Sequence, residues 1–417
     1  MNLTPENTTV STAFFQPLSS LASRSSHARN CPDFSDDDYL QCGLLRVLES
    51  STSGRAFLQE HATRLNYSPS QANYFATLHS PRRGAVVADV NDALRAMANQ
   101  TLPDRLAGIS ELAAYEVFAV DGHWHKAASH DPRHNGVKMA VGHFYSLNLR
   151  THTLRQLAVG EGAHEHDLSV LKRLTPRGLR QEVPKGQRTL LIYDRAGIDF
   201  DYWKRCRHEC AIYFLSRTKS NTVLSWEERR PWDASDPRNR GVQEDMRVKT
   251  RDGHSLRLIC YVDPVTGKAY EFLTNEPDLP PGVLAELYRR RWDVEKVFDE
   301  LKNKLGEKKA WATSLEAKQT QAHFLTITHN LLLLYEQALA VRHAVQNQAE
   351  DQRRRKRKKE HQHIARKNGQ LLSTLVAQAL SATQRSVKFI RWLREALRYQ
   401  LAETTAVLRL KQLYASL

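Results

Sequence analysis

The sequence predicts an α/β fold, with a sheet in the middle of the chain and helical segments on both sides of it. Two apolar runs, AYEVFAVD and TLLIYD, have the composition of buried β-strands. Helical patterns, HEHDLSVLKRL and FDYWKRC, precede and follow the second run, and this alternation is typical of α/β sheets. Leucines at helical spacing in SDDDYLQCGLLRVL, and a long helical pattern from Pro281 onward, predict helices at both ends of the chain.

Composition indicates a basic protein with a polyanionic partner. The 417 residues include 61 Lys and Arg against 46 Asp and Glu, a formal net charge of +15. Contacts between such side chains and phosphates release condensed counterions, so the surplus favours nucleic acid as the partner. The length predicts two to four domains. The N-terminal segment lacks the pattern of a signal peptide, and the most apolar window, 324–341, is interrupted by polar residues. We therefore expect a cytoplasmic protein without a membrane span.

The first 105 residues predict a set of helices. Ser35 followed by Asp38 is a variant capping box that begins the first of them. Short helices are predicted at 54–65 and 69–79, then a break at 81–84 and a helix at 86–100. This pattern fits either a helix-turn-helix-like DNA reader or a plain helical cap on the next domain.

Two predicted strands each deliver an aspartate at their carboxyl end. Asp121 ends the strand that begins near residue 114, and Asp194 ends the strand 189–194. Ligands of open α/β sheets bind outside the carboxyl ends of the strands. Each aspartate alone would equally fit a helix cap or a turn. Further strands are predicted at 137–149, 153–159 and 211–216, and a helix at 164–174.

Residues 218–279 predict a small β insertion. It contains a hairpin whose turn spans 263–267. Trp226 and Trp232 lie near arginines, which fits either stacking on bases or packing in a core.

The most informative segment is the helix predicted from 283 to 305. At about 100° per residue, Tyr288, Arg291, Glu295 and Lys302 fall on one shoulder of this helix, beside an apolar face. A solvated helix with salt bridges would explain the same charges. A second helix is predicted at 313–345. It is followed by the basic run 353–359, which fits a solvated linker or a DNA contact, and by two or three helices in 371–417.

The spacing of these four residues resembles a family signature. Tyr288, Arg291, Glu295 and Lys302 are separated by two, three and six residues, which is similar to the YREK signature of DDE transposases of the insertion sequence four family. The resemblance spans about residues 114–315 and includes the two strand-end aspartates and the β insertion.

This resemblance implies an RNase H-like catalytic core with a β-strand insertion, flanked by helical domains. The expected division is a helical DNA-binding domain at 1–105, the first part of the core at 106–217, the β insertion at 218–279, the second part of the core at 280–345, and a basic linker with a C-terminal helical domain at 346–417. DNA-end recognition is expected in the first segment, and dimer contacts in the last.

The resemblance also implies the chemistry. Asp121, Asp194 and Glu295 match the catalytic carboxylates, which would bind two Mg²⁺ ions, with Mn²⁺ as a substitute. Tyr288, Arg291, Trp292 and Lys302 would bind DNA. The implied reaction cleaves transposon ends and joins their 3′-hydroxyls to target DNA, through a hairpin intermediate in relatives of this type. The implied partners are double-stranded DNA, as terminal inverted repeats and target, and a second copy of the chain.

Several alternatives remain from the residues alone. A nuclease of the same fold, a transposase-derived repressor and an RNA-binding protein compete with the transposase. The pairs His123/His125 and His164/His166 resemble metal ligands, but residues at such positions are more often hydrogen-bonded or at the surface. Cys206, His208 and Cys210 lack a second cysteine pair at zinc-finger spacing, and the five cysteines predict no disulfide framework.

Overall fold

The computed structural model describes residues 8–49, 53–61, 70–128, 131, 133–134, 137–138, 141–160, 165–180, 183–306, 309–378 and 387–415. Its strands, β1 to β11 in chain order, are Tyr115–His125, Arg133–His134, Val137–Lys138, Val141–Asn148, Leu154–Val159, Arg188–Ile192, Ile212–Arg217, Leu224–Arg229, Val242–Thr250, Ser255–Val262 and Ala269–Thr274. Its helices, α1 to α15, are Val10–Ala22, Asp36–Leu48, Gly54–His61, Gln71–Thr77, Pro81–Thr101, Asp167–Arg173, Pro176–Leu179, Phe200–Cys210, Pro281–Arg290, Trp292–Asn303, Leu315–His343, Gln348–Lys367, Leu375–Gln378, Val387–Arg398 and Glu403–Ala415.

Nine of the described strands form one mixed sheet in the order β5-β4-β1-β6-β7-β11-β10-β9-β8. The central strands β1, β6 and β7 are parallel, because α6, α7 and α8 return the chain across the sheet between them. The outer strands on both sides are antiparallel. The predicted α/β class is confirmed.

The strands of the predicted β insertion continue this sheet, because β11 pairs with β7. The predicted hairpin is confirmed as β10 and β11. Its turn is stabilised by Asp263 Oδ1, which accepts hydrogen bonds from the amides of Val265 and Thr266, both at 2.8 Å. Gly267 closes the turn with a φ of +68°, which favours glycine.

Each face of the sheet buries its own apolar cluster. Val117 and Ala119 of β1 join the large cluster, which includes side chains of α5, α9, α10 and α11. Val120 of β1 joins the smaller cluster, with Trp203 of α8. Successive side chains of a strand point to opposite faces, so the odd-numbered positions of β1 face α10.

The helices before the sheet follow the predicted pattern in part. The capping box is confirmed, because the Ser35 hydroxyl accepts from the Asp38 amide and the Asp38 carboxylate accepts from the Ser35 amide. The predicted break at 81–84 is wrong. Pro81 begins α5, where its missing N–H costs no hydrogen bond and its fixed φ suits the first turn.

Other predicted elements agree within the described residues. The strand predicted at 137–149 appears as β3 and β4, and the helices α13, α14 and α15 lie where two or three were expected. Parts of these predictions, residues 62–69, 139–140, 164, 379–386 and 416–417, lie outside the described residues, so the helix-turn-helix-like interpretation is not tested.

The two ends of the described chain meet. The Val10 amide donates to Leu401 O at 2.9 Å, and the Glu403 amide donates to Thr8 O at 2.8 Å. Tyr335 of α11 lies beneath this contact, with its ring near Phe14 of α1 at 5.4 Å. The helices at both ends therefore share one core.

The chain contains no described helix that is both long and apolar enough to cross a membrane. The apolar window 324–341 lies in α11, whose side chains are mostly buried against the sheet and α5.

Candidate active site

Asp121 and Asp194 lie at the same edge of the sheet. The parallel pairing of β1 with β6 ends with Ala119 opposite Ile192. Asp121 and Asp194 each follow that last pair by two residues. The register therefore brings the two aspartates to corresponding positions on neighbouring chain segments.

The predicted end of the first strand at Asp121 is wrong. β1 continues to His125 because it stays paired with β4 after it has separated from β6, and Asp121 lies opposite Tyr145. The second prediction is closer, since β6 ends at Ile192 and Asp194 follows it.

Asp194 also has a structural role. It is the N-cap of a short 3-10 helix, Arg195–Gly197, and its Oδ1 accepts a hydrogen bond from the Ala196 amide at 2.7 Å. The capping interpretation of this residue is therefore correct, and it fixes the direction of the carboxylate.

The predicted single helix over 283–305 is two helices, α9 and α10, that meet at Arg291. The Arg291 amide bonds to Tyr288 O at 3.1 Å, and the Val294 amide bonds to Arg291 O at 3.2 Å. These bonds span three residues instead of four and tighten the chain locally. Arg291 keeps right-handed helical backbone angles, so Tyr288, Arg291 and Glu295 remain on one side.

Arg291 bridges two of the three candidate carboxylates. Its Nη1 lies 3.1 Å from Asp121 Oδ2, and its Nη2 lies 2.8 Å from Glu295 Oε1. The Arg291 side chain is 8% exposed, and that of Glu295 is 34% exposed. Arg291 Nε is buried and has no hydrogen-bond partner in the described part of the chain. The structure thus joins a strand residue and a helix residue 174 positions apart through one guanidinium.

The surroundings fix the protonation of this arginine and its neighbour. Burial opposes the charge of Arg291, but Tyr288, Asp121 and Glu295 outweigh burial and raise its pKa. Burial also raises the pKa of Tyr288, and the Asp194 carboxylate raises it further. The charges of Arg291 and Arg217 act in the opposite direction. Tyr288 therefore keeps its phenolic proton at neutral pH and is a hydrogen-bond donor.

The other predicted DNA-binding residues lie at different distances from this bridge. The Trp292 ring contacts the Arg291 guanidinium at 5.3 Å and is 56% exposed, so it does not pack beneath the site. Lys302 is exposed and lies seven residues beyond Glu295, about 10 Å along α10. The structure brings Tyr288, Arg291 and Trp292 together and leaves Lys302 at the periphery.

Buried polar side chains hold α10 from its other side. Asp293 accepts from Lys296 Nζ at 2.7 Å and lies 3.7 Å from His152 Nε2. Burial, together with nearby cations such as Arg105, lowers the pKa of His152 well below its usual range. His152 is therefore neutral at neutral pH, and its contact with Asp293 is not an ion pair. These contacts limit rotation of α10 and so position Glu295.

A buried histidine chain next to Asp121 was missed by the sequence interpretation. His125 Nδ1 is 3.1 Å from Lys126 O, His125 Nε2 is 3.2 Å from His143 Nε2, and His143 Nδ1 is 3.1 Å from the Tyr145 hydroxyl. A carbonyl only accepts, so in the neutral rings His143 donates to His125 and Tyr145 donates to His143. The sequence does show that His143 and Tyr145 are two residues apart on a predicted strand, and that His123 and His125 have the same spacing. On a strand, this spacing places both members of each pair on the same face.

The histidine pairs therefore differ from one another. His123 and His125 are buried, and the His123 ring lies 5.0 Å from that of Phe298 on α10. His166 caps α6 by accepting from the Leu168 amide at 3.3 Å, and His164 lies outside the described residues. Cys206 is buried in the smaller apolar cluster, where burial raises the pKa of its thiol to about 11.

The donor set suits a hard cation, although no three of the described side chains that could bind a metal surround one point. Carboxylate oxygens are the ligands that Mg²⁺ prefers. Within the described residues, no three His, Cys, Asp or Glu side chains lie close enough together to hold a metal ion. The Arg291 guanidinium instead supplies the positive charge between Asp121 and Glu295.

Comparison with known families gives one finding. A family model described as "Transposase DDE domain" matches residues 112–331, just over half of the chain. That interval begins just before β1 and ends within α11, and it contains Asp121, Asp194 and Glu295. No curated protein matches the chain.

Proposed function

Because the chain belongs to the family of transposases with a DDE domain, which have an RNase H-like core and act on DNA, we propose that it cleaves and joins DNA strands with Asp121, Asp194 and Glu295. The observation that carries this proposal is the bridge from Asp121 through Arg291 to Glu295. It supports the proposal because it joins a core strand to α10 at the edge of the sheet where Asp194 also lies.

The three carboxylates would hold the divalent ions that such domains generally use, and we propose Mg²⁺, with Mn²⁺ as a substitute. When bound, two such ions activate a water molecule and stabilise the leaving oxygen. The role of this chain's own residues is to supply the oxygens from three segments distant in sequence and to hold them in place through β1, the 3-10 helix after β6, and α10.

The first nick and the final joining to target DNA each balance. In cleavage, a water molecule loses a proton, its oxygen bonds to the phosphorus at the transposon end, the bond from phosphorus to the 3′ oxygen breaks, and that oxygen takes up a proton. In joining, the freed 3′-hydroxyl loses its proton and attacks a phosphorus of target DNA, and the 3′ oxygen of the target leaves and takes up a proton. No net oxidation occurs.

Arg291, Tyr288, Trp292 and Lys302 would bind the DNA near the cut. Arg291 carries a permanent charge and a buried Nε donor, which suit a phosphate once the carboxylates bind cations instead. The Tyr288 hydroxyl would donate a hydrogen bond to a phosphate oxygen. Trp292 is exposed enough to stack on a base, and Lys302 would contact a phosphate farther along the strand.

The proposed transposase family and its reaction route rest on the spacing of Tyr288, Arg291, Glu295 and Lys302. It supports membership in the insertion sequence four family, a cut-and-paste reaction and a hairpin intermediate. The helices before residue 105 would recognise transposon ends, and the C-terminal helices would contribute to a homodimer on DNA.

The experiment compares Asp121→Asn, Asp194→Asn and Glu295→Gln with the unchanged protein on duplexes that carry the inverted repeats flanking the gene. We expect each change to reduce Mg²⁺-dependent cleavage on the order of a thousandfold, with binding nearly unchanged. Asp299→Asn, one turn beyond Glu295 on α10, is the matched control and should cleave normally. Normal cleavage by any one of the three variants would contradict the triad.

A second assay separates a transposase from a nuclease of the same fold. A pre-cut end with a free 3′-hydroxyl should be joined to a supercoiled target plasmid by the unchanged protein. A nuclease would degrade DNA without joining it.

A further inference from the structure

Almost none of the surface of α12 packs against the rest of the protein. From Asp351 to His363, every side chain except Arg354 is exposed, and these residues cover the whole circumference of the helix. Ala365 is the buried residue of this helix. A helix on a protein surface normally buries one apolar face, and α12 has none.

The helix is instead held at its two ends. At its start, Glu350, Asp351 and Arg354 line a cavity together with Tyr414 of α15, which α12 contacts. At its end, Asn368 Nδ2 donates to Pro264 O at 3.2 Å and Val265 O at 3.1 Å in the β10–β11 turn. Twenty residues of α-helix measure about 30 Å, so α12 is a rod that joins the α10–α11 side to the hairpin.

The charge of α12 does not suit an isolated helix in water. It has nine Lys or Arg residues and three Asp or Glu residues, and positions 353–359 are all cationic. Glu350 pairs with Arg357 at 2.9 Å and with Arg353 at 3.8 Å. Like charges three and four positions apart destabilise a helix, so α12 repels itself along most of its length. A polyanion around the helix would remove this repulsion.

We propose that α12 lies in the major groove of duplex DNA and contacts phosphates on both walls of the groove. The groove is about 12 Å wide and admits an α-helix, and a helix seated in it needs an accessible surface on more than one side. Phosphate contacts carry no sequence information, so the contact is made with duplex of any sequence. This inference rests on the family's action on DNA but not on the carboxylate triad.

The test removes three charges that point to different sides of the rod. Arg355, Lys356 and Lys358 are exposed, and successive helical residues are 100° apart, so Arg355→Gln, Lys356→Gln and Lys358→Gln together affect both walls. Binding to a duplex of arbitrary sequence is measured in EDTA at several salt concentrations. We expect the negative slope of log Kobs against log salt to become shallower by about 2–3, since each lost phosphate contact removes about 0.9 from its magnitude.

Two controls make the outcome specific. Arg177→Gln, Lys185→Gln and Lys204→Gln together remove three exposed charges from the α7–α8 side of the sheet, and this variant should keep the original slope. Duplex RNA of the same sequence has a major groove too narrow for a helix, so the α12 variant should lose less affinity for RNA than for DNA. Thermal unfolding verifies that each variant is folded.

An unchanged DNA slope in the α12 variant would overturn the proposal. Equal decreases in the magnitude of the DNA slope in the α12 variant and in the control would show only the effect of net charge. That result would also overturn the proposal. Equal losses on DNA and RNA would contradict the seating in the major groove. Because binding is measured without divalent metal, failure of the triad leaves this result unaffected, and the reverse also holds.

Discussion

Arg291 holds two carboxylates of the candidate site together by its charge. Asp121 and Glu295 would repel each other without it, and burial makes that repulsion stronger than in water. A divalent cation bound by the same oxygens would also neutralise them, with two positive charges instead of one. Arg291 and a metal ion would therefore compete for these oxygens, and a bound ion would free the arginine to contact the substrate.

Arg291→Met should make the stability of the protein depend on metal. Breaking a buried ion pair costs about 3–5 kcal/mol, and the exposure of Glu295 reduces this to about 2 kcal/mol in EDTA. The measurement is the thermal midpoint in EDTA and in Mg²⁺, and we expect a larger rise with Mg²⁺ in the variant than in the unchanged protein. Arg289→Met, two residues earlier, is the control, and it should show the original rise. An equal rise of the thermal midpoint with Mg²⁺ in both variants would mean that Arg291 does not occupy the place of a metal ion between the carboxylates.

At the level of helices, α5 and α11 are joined by a buried polar cluster. The Thr326 hydroxyl donates to Asn91 Oδ1 at 3.0 Å, and Asn91 Nδ2 lies 3.2 Å from His323 Nδ1. Burial lowers the pKa of His323 to about 4, with a further lowering by Arg95 and an opposing effect of Asp92. The contact between these helices therefore needs a neutral His323.

This cluster predicts a loss of stability in mild acid. The folded pKa of His323 lies below its ordinary value of 6.5, so between pH 6.5 and about 4 the unfolded chain binds a proton that the folded chain does not. The stabilisation is complete above pH 6.5 and is lost as pH falls toward 4. His323→Gln should make the decline in unfolding free energy shallower by about 1 kcal/mol per pH unit.

Denaturant unfolding at several pH values measures this decline. His361→Gln on the exposed α12 is the control and should leave the slope unchanged. Identical slopes for His323→Gln and the unchanged protein would refute the assignment.

Elements were predictable where local residues determine them. Ser35 and Asp38 begin α2 with their own side chains, and Asp263 closes the hairpin within five residues. The break at Arg291 was not predictable, because the backbone angles there are helical and only the pattern of hydrogen bonds changes. Likewise, the end of β1 depends on its pairing with β4, which is a tertiary contact and not a property of the local sequence.

The candidate site shows the same division. The sequence predicted that Asp121, Arg291 and Glu295 belong to one site, and the structure places them in contact. It did not predict that Arg291 would lie between the carboxylates. The helical repeat shows which face of the helix carries Arg291, but it does not show which groups its side chain contacts. The chain of His125, His143 and Tyr145 depends on the register of two strands, which spacing alone does not determine.

Across the whole molecule, side chains from distant parts of the chain pack on Tyr335. Phe14 of α1 lies 5.4 Å from its ring, Trp392 of α14 stacks at 6.4 Å, and its hydroxyl lies 3.3 Å from Glu403 Oε1. The core of the helical part therefore depends on both ends of the chain at once.

A double-mutant cycle should detect this shared packing. Phe14→Leu and Trp392→Phe should each destabilise the protein by about 1–2 kcal/mol. Because both contact Tyr335, we expect a coupling energy of at least about 0.5 kcal/mol between them. Phe14→Leu with Trp203→Phe is the control pair, since Trp203 lies in the smaller cluster, and those effects should add. Additivity in the first pair would contradict a common core.

The contact of Thr8 and Val10 with Leu401 and Glu403 has a consequence for synthesis on the ribosome. Residues near Val10 leave the ribosome before their partners, which follow about 390 residues later. At about 5–20 residues per second, α1 waits roughly 20–80 s for them. The strands and helices of the candidate site are all translated before that. A nascent chain can therefore complete the fold of the candidate site while the part of α1 that packs against α14 and α15 is still uncovered and open to chaperones and proteases.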